Sequence, residues 1–249
     1  MILTIARYEL RSMFLSPLAW IILAVVQILL GYMFLVQIDN FFLLQPQLIY
    51  LQNTPGVTDI VVAPLFQLAA IILLMIMPLV TMRTIAEEKR NRTLTLLISS
   101  PLSMSEIVLG KFLGLSLFIL ILVSLMMLMP LSLYAGTELD LGKLFSIFLA
   151  MLLLLGSFAA IGLYLSSLTE NQTIAAVATF GALLMLWIID WVGESINGGQ
   201  SVLSYLSLLQ HYQNMMEGVF DTSDLAYYLL IITAFLVLTV RQLDRERLL

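Results

Sequence analysis

The chain contains no cysteine and a single histidine, His211. Disulfides are therefore excluded, and one imidazole without thiolates argues against a zinc or haem centre. Charge is also scarce: only 11% of the 249 residues are Asp, Glu, Lys or Arg, where soluble domains carry about 25%. The phosphate-cradling GxxxxGK[ST] pattern is missing, so the chain is not expected to hydrolyse ATP alone. No GxSxG or HExxH pattern or convergent polar site suggests an enzyme. No charge lies near the middle of a long apolar run, which argues against a carrier driven by coupled ions. Nor does a Gly/Ser linker or composition break divide the chain, so residues 1–249 are expected to form one domain.

Hydrocarbon is abundant. Hydrophobic residues make up 61% of the sequence and mean hydropathy is +1.04, the signature of an integral membrane protein. A helix crosses about 30 Å of hydrocarbon with about 20 apolar residues. Six runs meet or approach that length, at about 17–38, 61–82, 112–134, 144–165, 173–191 and 225–240. The expected fold is thus an all-α polytopic membrane protein with six transmembrane helices. The first run is too long for a signal-peptide core and lacks a small-residue cleavage site after it, so it reads as retained.

Charge divides unevenly between the connecting segments. Ten of the eleven Lys and Arg residues fall in the N-terminal segment, the 2–3 and 4–5 connections and the C-terminus; the others hold only Lys143 against nine acids. The positive-inside rule then places both termini and the Met82–Lys111 stretch in the cytoplasm. Before the first span, Leu3, Ala6, Leu10, Met13 and Phe14 recur at helical spacing opposite Arg7 and Arg11, which suits an interfacial helix or a polar lead-in. On the outer side, residues 39–60 contain Pro46, Pro55 and Gly56 and are expected to be an ordered loop or short interfacial helix. Between Tyr205 and Phe220, apolar residues at helical spacing oppose Ser207, Gln210, His211, Asn214 and Glu217. This predicts an amphipathic helix of about four turns, lying on the surface or dipping in, with His211 a hydrated or hydrogen-bonded surface residue.

Residues 82–111 hold five of the eleven basic residues. Alone, such a charge run reads as a solvated loop that fixes topology. Here Leu94, Leu97 and Ile98 add an apolar stripe, Ser99-Ser100-Pro101 breaks it, and Ser103 with Glu106 matches a capping box at the start of the third span. Gly110 and Gly114 follow at the spacing of close helix packing. The segment predicts a helix, a break and a capped helix, which is a folded surface for a partner.

Glu87-Glu88-Lys89, Thr93-Leu94, Leu96-Leu97, Pro101-Leu102-Ser103, Glu106-Ile107 and Gly110-Lys111 together resemble the pattern after the second span of ABC-2 type transporter permeases. Ser16-Pro17, Ser166 to Gln172 and Gly218 to Thr222 extend the resemblance toward its gliding-motility-associated branch. Arg92 departs from it, standing where that family often has glycine, which bears on local backbone freedom. The resemblance implies an N-terminal elbow helix, a coupling helix between spans 2 and 3, and an amphipathic or re-entrant outer helix between spans 5 and 6. It also implies a cytoplasmic ABC ATPase partner, a second permease copy or related permease forming a dimer, and residence in a bacterial inner membrane. ATP and Mg would bind the ATPase, with no cofactor on this chain. By carry-over, Glu87, Glu88, Lys89, Arg90, Thr93, Leu94, Leu97 and Ile98 would contact the ATPase, assisted by Glu170 and Asn171. Partners beyond these are the lipid bilayer and an outer-side accessory membrane protein, with no nucleic acid. The rival function within such an assembly is a mechanical transducer that relays ATPase motion to an outer-side protein without carrying substrate.

Overall fold

The computed structural model describes residues 1–48, 56–93, 103–137, 139–197, 207–218 and 221–247. The elements among them are α1 (Ile2–Leu15), α2 (Pro17–Leu48), a π-helical turn (Thr58–Val62) running into α3 (Ala63–Thr81), and α4 (Ala86–Arg90). Then come α5 (Met104–Ser132) with a 3-10 turn at its end (Leu133–Ala135), α6 (Leu141–Ser167), α7 (Gln172–Asn197), α8 (Leu208–Met216) and α9 (Thr222–Arg247). No strand occurs among the described residues, and six of the helices are long and apolar enough to cross a membrane.

Most helix starts follow from side-chain caps. Pro17 occupies the first position of α2, where its missing N–H costs nothing, and Ser16 Oγ accepts from Leu18 N. Ser103 and Glu106 form the reciprocal capping box of α5, at 3.2 and 3.1 Å. Asp140, Asn171 and Ser207 cap α6, α7 and α8 through their side-chain oxygens. These bonds satisfy amides that have no partner within the helix.

α6 is the axis of the bundle: 72% of its most apolar window is buried, against 17% for α7. Lipid is as apolar as leucine, so packing between spans rests on close fit and small residues, not on water exclusion. A Cβ at Gly110 would lie 2.7 Å from Ile5 Cβ, and one at Gly114 2.7 Å from Glu9 Cβ, so α1 rests directly on the backbone of α5. Ala6, Leu10, Met13 and Phe14 of α1 pack toward the core, whereas Leu3 is 79% exposed.

Three expectations are corrected. The segment after Ile38 is not a loop from Asp39, because α2 continues unbroken to Leu48. Pro46 lies within its last turn, and only two helical residues follow it, as expected of a residue that removes one intrahelical N–H. The outer amphipathic helix is shorter than four turns: α8 has 9 residues, and residues 205–206 and 219–220 lie outside those described. His211 is hydrogen-bonded, one of the two expected alternatives, but it is buried and not at the surface, being 4% exposed, for a reason given below.

Candidate functional site

Thr81 ends α3, the chain turns through Met82–Ile85, and α4 begins at Ala86. Such a short helix cannot hold itself together, and its termini are secured from elsewhere. Ser166 Oγ, at the end of α6, accepts from Ala86 N at 3.0 Å and Ile85 N at 3.3 Å, and donates to Met82 O at 3.2 Å. One hydroxyl from another helix therefore serves as the N-cap. At the other end, Thr93 N donates to Glu88 O and Arg92 N to Lys89 O, both at 3.0 Å. This pair of bonds is a Schellman closure, which puts the residue after the cap in left-handed backbone. That residue is Arg92, with φ 57°, the position where glycine is freest.

Lys111 fixes the inner side of α4. It lies two turns into α5, and its side chain is 2% exposed. Its ammonium donates to Glu88 Oε1 at 2.6 Å, Thr84 O at 2.8 Å and Glu9 Oε2 at 3.3 Å. All three N–H donors are thus used, and α1, the α3–α4 turn, α4 and α5 meet on one charge. Burial holds the Glu88 carboxyl above its ordinary value of 4.5, outweighing the opposing pull of Lys111. On the other flank, Lys89 Nζ bonds both the Ser167 carbonyl and Glu246 near the end of α9. Five residues of helix are in this way tied to α1, α5, α6 and α9.

A cleft of about 610 Å³ opens beside this hub, between α1, the first turns of α2 and α4. Glu9, Glu87 and Glu88 line it together with Arg83, above a floor that includes Ala19, Ile22 and Phe118.

At the opposite end of the bundle, α8 is locked between the spans. Tyr212 Oη donates to Phe66 O of α3 at 2.9 Å, Ser146 Oγ of α6 to Met215 O at 2.6 Å, and Tyr228 Oη of α9 to Leu208 O at 2.8 Å. His211 Nδ1 lies 2.5 Å from Asp224 Oδ1, and its ring stacks on Tyr227. Burial pushes the Tyr212 hydroxyl far above its ordinary range, so it remains a donor at any accessible pH.

A family model described as ABC-2 family transporter protein matches residues 3–248. The chain belongs to the ABC-2 transporter family. A search of curated proteins finds no match to it. As an ABC-2 permease it is a multi-pass membrane component of an ABC transporter and not itself the ATPase.

Within this ABC-2 domain the residues singled out for ATPase contact fall into three sets. Glu88 and Lys89 are turned inward, onto Lys111 and onto Glu246. Glu87 lines the cleft, while Arg90, Thr93, Glu170 and Asn171 are exposed, Asn171 using its side chain to cap α7. Leu94, Leu97 and Ile98 lie outside the described residues. The sequence reading missed Glu9, Thr84, Ser166, Ser167 and Glu246. A signal existed for Glu9, which shares the helical stripe of Ala6 and Met13 and is thus an acid on a buried face. None existed for Ser166, whose partners lie 80 and 81 residues away in the chain.

Proposed function

We propose that this chain is the membrane half of an ATP-driven ABC-2 transporter, moving a substrate across the bilayer with energy from a separate cytoplasmic ATP-binding subunit. The observation that carries this reading is the wiring of α4: through Ser166, Lys111 and Lys89 it is bound to α1, α5, α6 and α9. A displacement imposed there moves the ends of several spans together. The basic residues around it favour a cytoplasmic location for α4 and both termini, in a bacterial inner membrane. A second permease copy would complete the pathway, and the least buried spans, α2, α7 and α9, leave apolar surface for lipid or that partner. The resemblance in Ser166 to Gln172 and Gly218 to Thr222 favours the gliding-motility-associated branch.

The transducer reading has its own support in α8, whose four polar ties to α3, α6 and α9 make the far end a firm platform for an outer-side accessory protein.

The decisive experiment is co-purification followed by coupled turnover. Solubilised protein should bring down an ABC ATPase at stoichiometric level, and its absence would end the proposal. Arg90→Glu with Glu170→Arg changes two exposed charges outside the hub. The pair is expected to uncouple ATP hydrolysis from transport while membrane insertion stays normal. Accumulation of a transported solute in vesicles separates carrier from transducer.

A further inference from the structure

The cleft between α1, α2 and α4 has a composition that α4 docking does not explain. Its upper wall is charged and its floor is hydrocarbon. Two of its three carboxylates, Glu9 and Glu88, share the ammonium of Lys111 behind them. Glu87 and Arg83 are different: among the described residues neither has an ion-pair partner, although both line the cleft, Arg83 from the α3–α4 turn and Glu87 from α4. One anion and one cation, neither ion-paired among the described residues, thus share the lining with Ala19, Ile22 and Phe118.

The shape matches an amphiphile. Phe118 lies seven residues further into α5 than Lys111, so the cleft descends about 10 Å from the charged rim toward the bilayer interior. A partner side chain reaching in from the cytoplasm would meet the rim and leave the floor empty. A bilayer lipid would fill both. The charges then choose the headgroup. Arg83 offers the planar N–H fork that suits a phosphate, and Glu87 offers an acceptor for an ammonium with N–H donors. The wall as a whole carries three carboxylates against Arg83 and the buried Lys111, a balance that disfavours a purely anionic headgroup.

We propose that this cleft binds a zwitterionic phospholipid bearing a primary amine, of the phosphatidylethanolamine class. Its phosphate lies on Arg83, its ammonium on Glu87, and the start of its acyl chains along Ala19, Ile22 and Phe118. The lipid would fill the space between α1 and the α4 hub, wedging the elbow against the coupling element. The proposal does not depend on an ATPase.

The test is competitive retention of lipids by the purified full-length chain. It is reconstituted in bilayer discs of equal phosphatidylethanolamine, phosphatidylcholine and phosphatidylglycerol, released into detergent and weighed by native mass spectrometry. Phosphatidylethanolamine should be retained preferentially over the other two. Glu87→Gln should reduce its preference over phosphatidylcholine by about ten- to a hundredfold, the worth of one hydrogen bond to a charged group. Ser12→Trp, which fills the cleft from its exposed rim, should abolish retention while helical content and melting remain unchanged. Equal retention of the three lipids, preference for phosphatidylglycerol, or a Glu87→Gln variant that keeps the preference would each overturn the proposal. Binding of millimolar phosphoethanolamine by protein that retains no lipid would assign the cleft to a soluble ligand and likewise refute the proposal.

Discussion

Replacing Lys111 by methionine should destabilise the fold by about 3–5 kcal/mol, the usual cost of stripping one partner from a buried ion cluster. Methionine nearly matches lysine in length, so the substitution removes charge without opening a large void. What it leaves behind is two carboxylates, Glu9 and Glu88, only 12% and 20% exposed, converging on a site without a cation. The Thr84 carbonyl loses its donor as well. With an effective dielectric of about 20, one unit pair near 3 Å gains roughly 5 kcal/mol before desolvation is subtracted. The cost of burying the ions consumes much of that gain. The whole cluster should therefore be worth little when removed together: Glu9→Gln, Glu88→Gln and Lys111→Met combined should return to within about 1–2 kcal/mol of wild type. Unfolding in mixed micelles with increasing sodium dodecyl sulfate, followed by circular dichroism, measures both. If Lys111→Met is silent, or the triple variant is no more stable than the single one, Lys111 does not hold the hub in the manner described.

Three further outcomes are expected. Arg92→Gly should raise stability by up to about 1 kcal/mol, since left-handed backbone costs a non-glycine residue about 1–2 kcal/mol and glycine gives back part of that as chain entropy; Arg92→Val should lower it, and the reverse order in a melting series would contradict the Schellman closure. Gly110→Ala with Gly114→Ala should push α1 off α5 at a cost of about 1–3 kcal/mol per site, seen as new proteolytic cleavage within residues 1–16; unchanged protection would mean that α1 is held by other contacts. The folded-state pKa of Glu88 lies above its unfolded value, so the cost of keeping it ionised is present in full above the folded pKa and is relieved as pH falls through it. Wild type should accordingly gain stability relative to Glu88→Gln between neutrality and about pH 4.5; melting temperatures that move apart in the other direction would count against the burial of Glu88.

Spans were legible in the sequence because apolar length is a property of contiguous residues, and so was the Ser103–Glu106 capping box, whose partners stand three apart. The helices proved longer than the apolar runs, as with α2 and α5, because a helix does not stop where hydrocarbon stops. Sequence alone could not pair Lys111 with Glu9, 102 residues earlier, or show that His211 turns inward to meet Asp224. Periodicity assigns a residue to a face, but it does not say what covers that face. The polar side of α8 looked hydrated because its cover, the start of α9, comes later in the chain.

α6, like α9, touches both ends of the bundle. α6 presents Ser146 to α8 and Ser166 to α4, 20 residues apart, or about 30 Å of rigid rise. Inserting or deleting a single residue between them would rotate one serine by about 100° relative to the other, so that one contact could form only by breaking its counterpart. The length of α6 is therefore a matter of phase as well as of membrane thickness, and its pitch helps to keep the two faces of the protein in register.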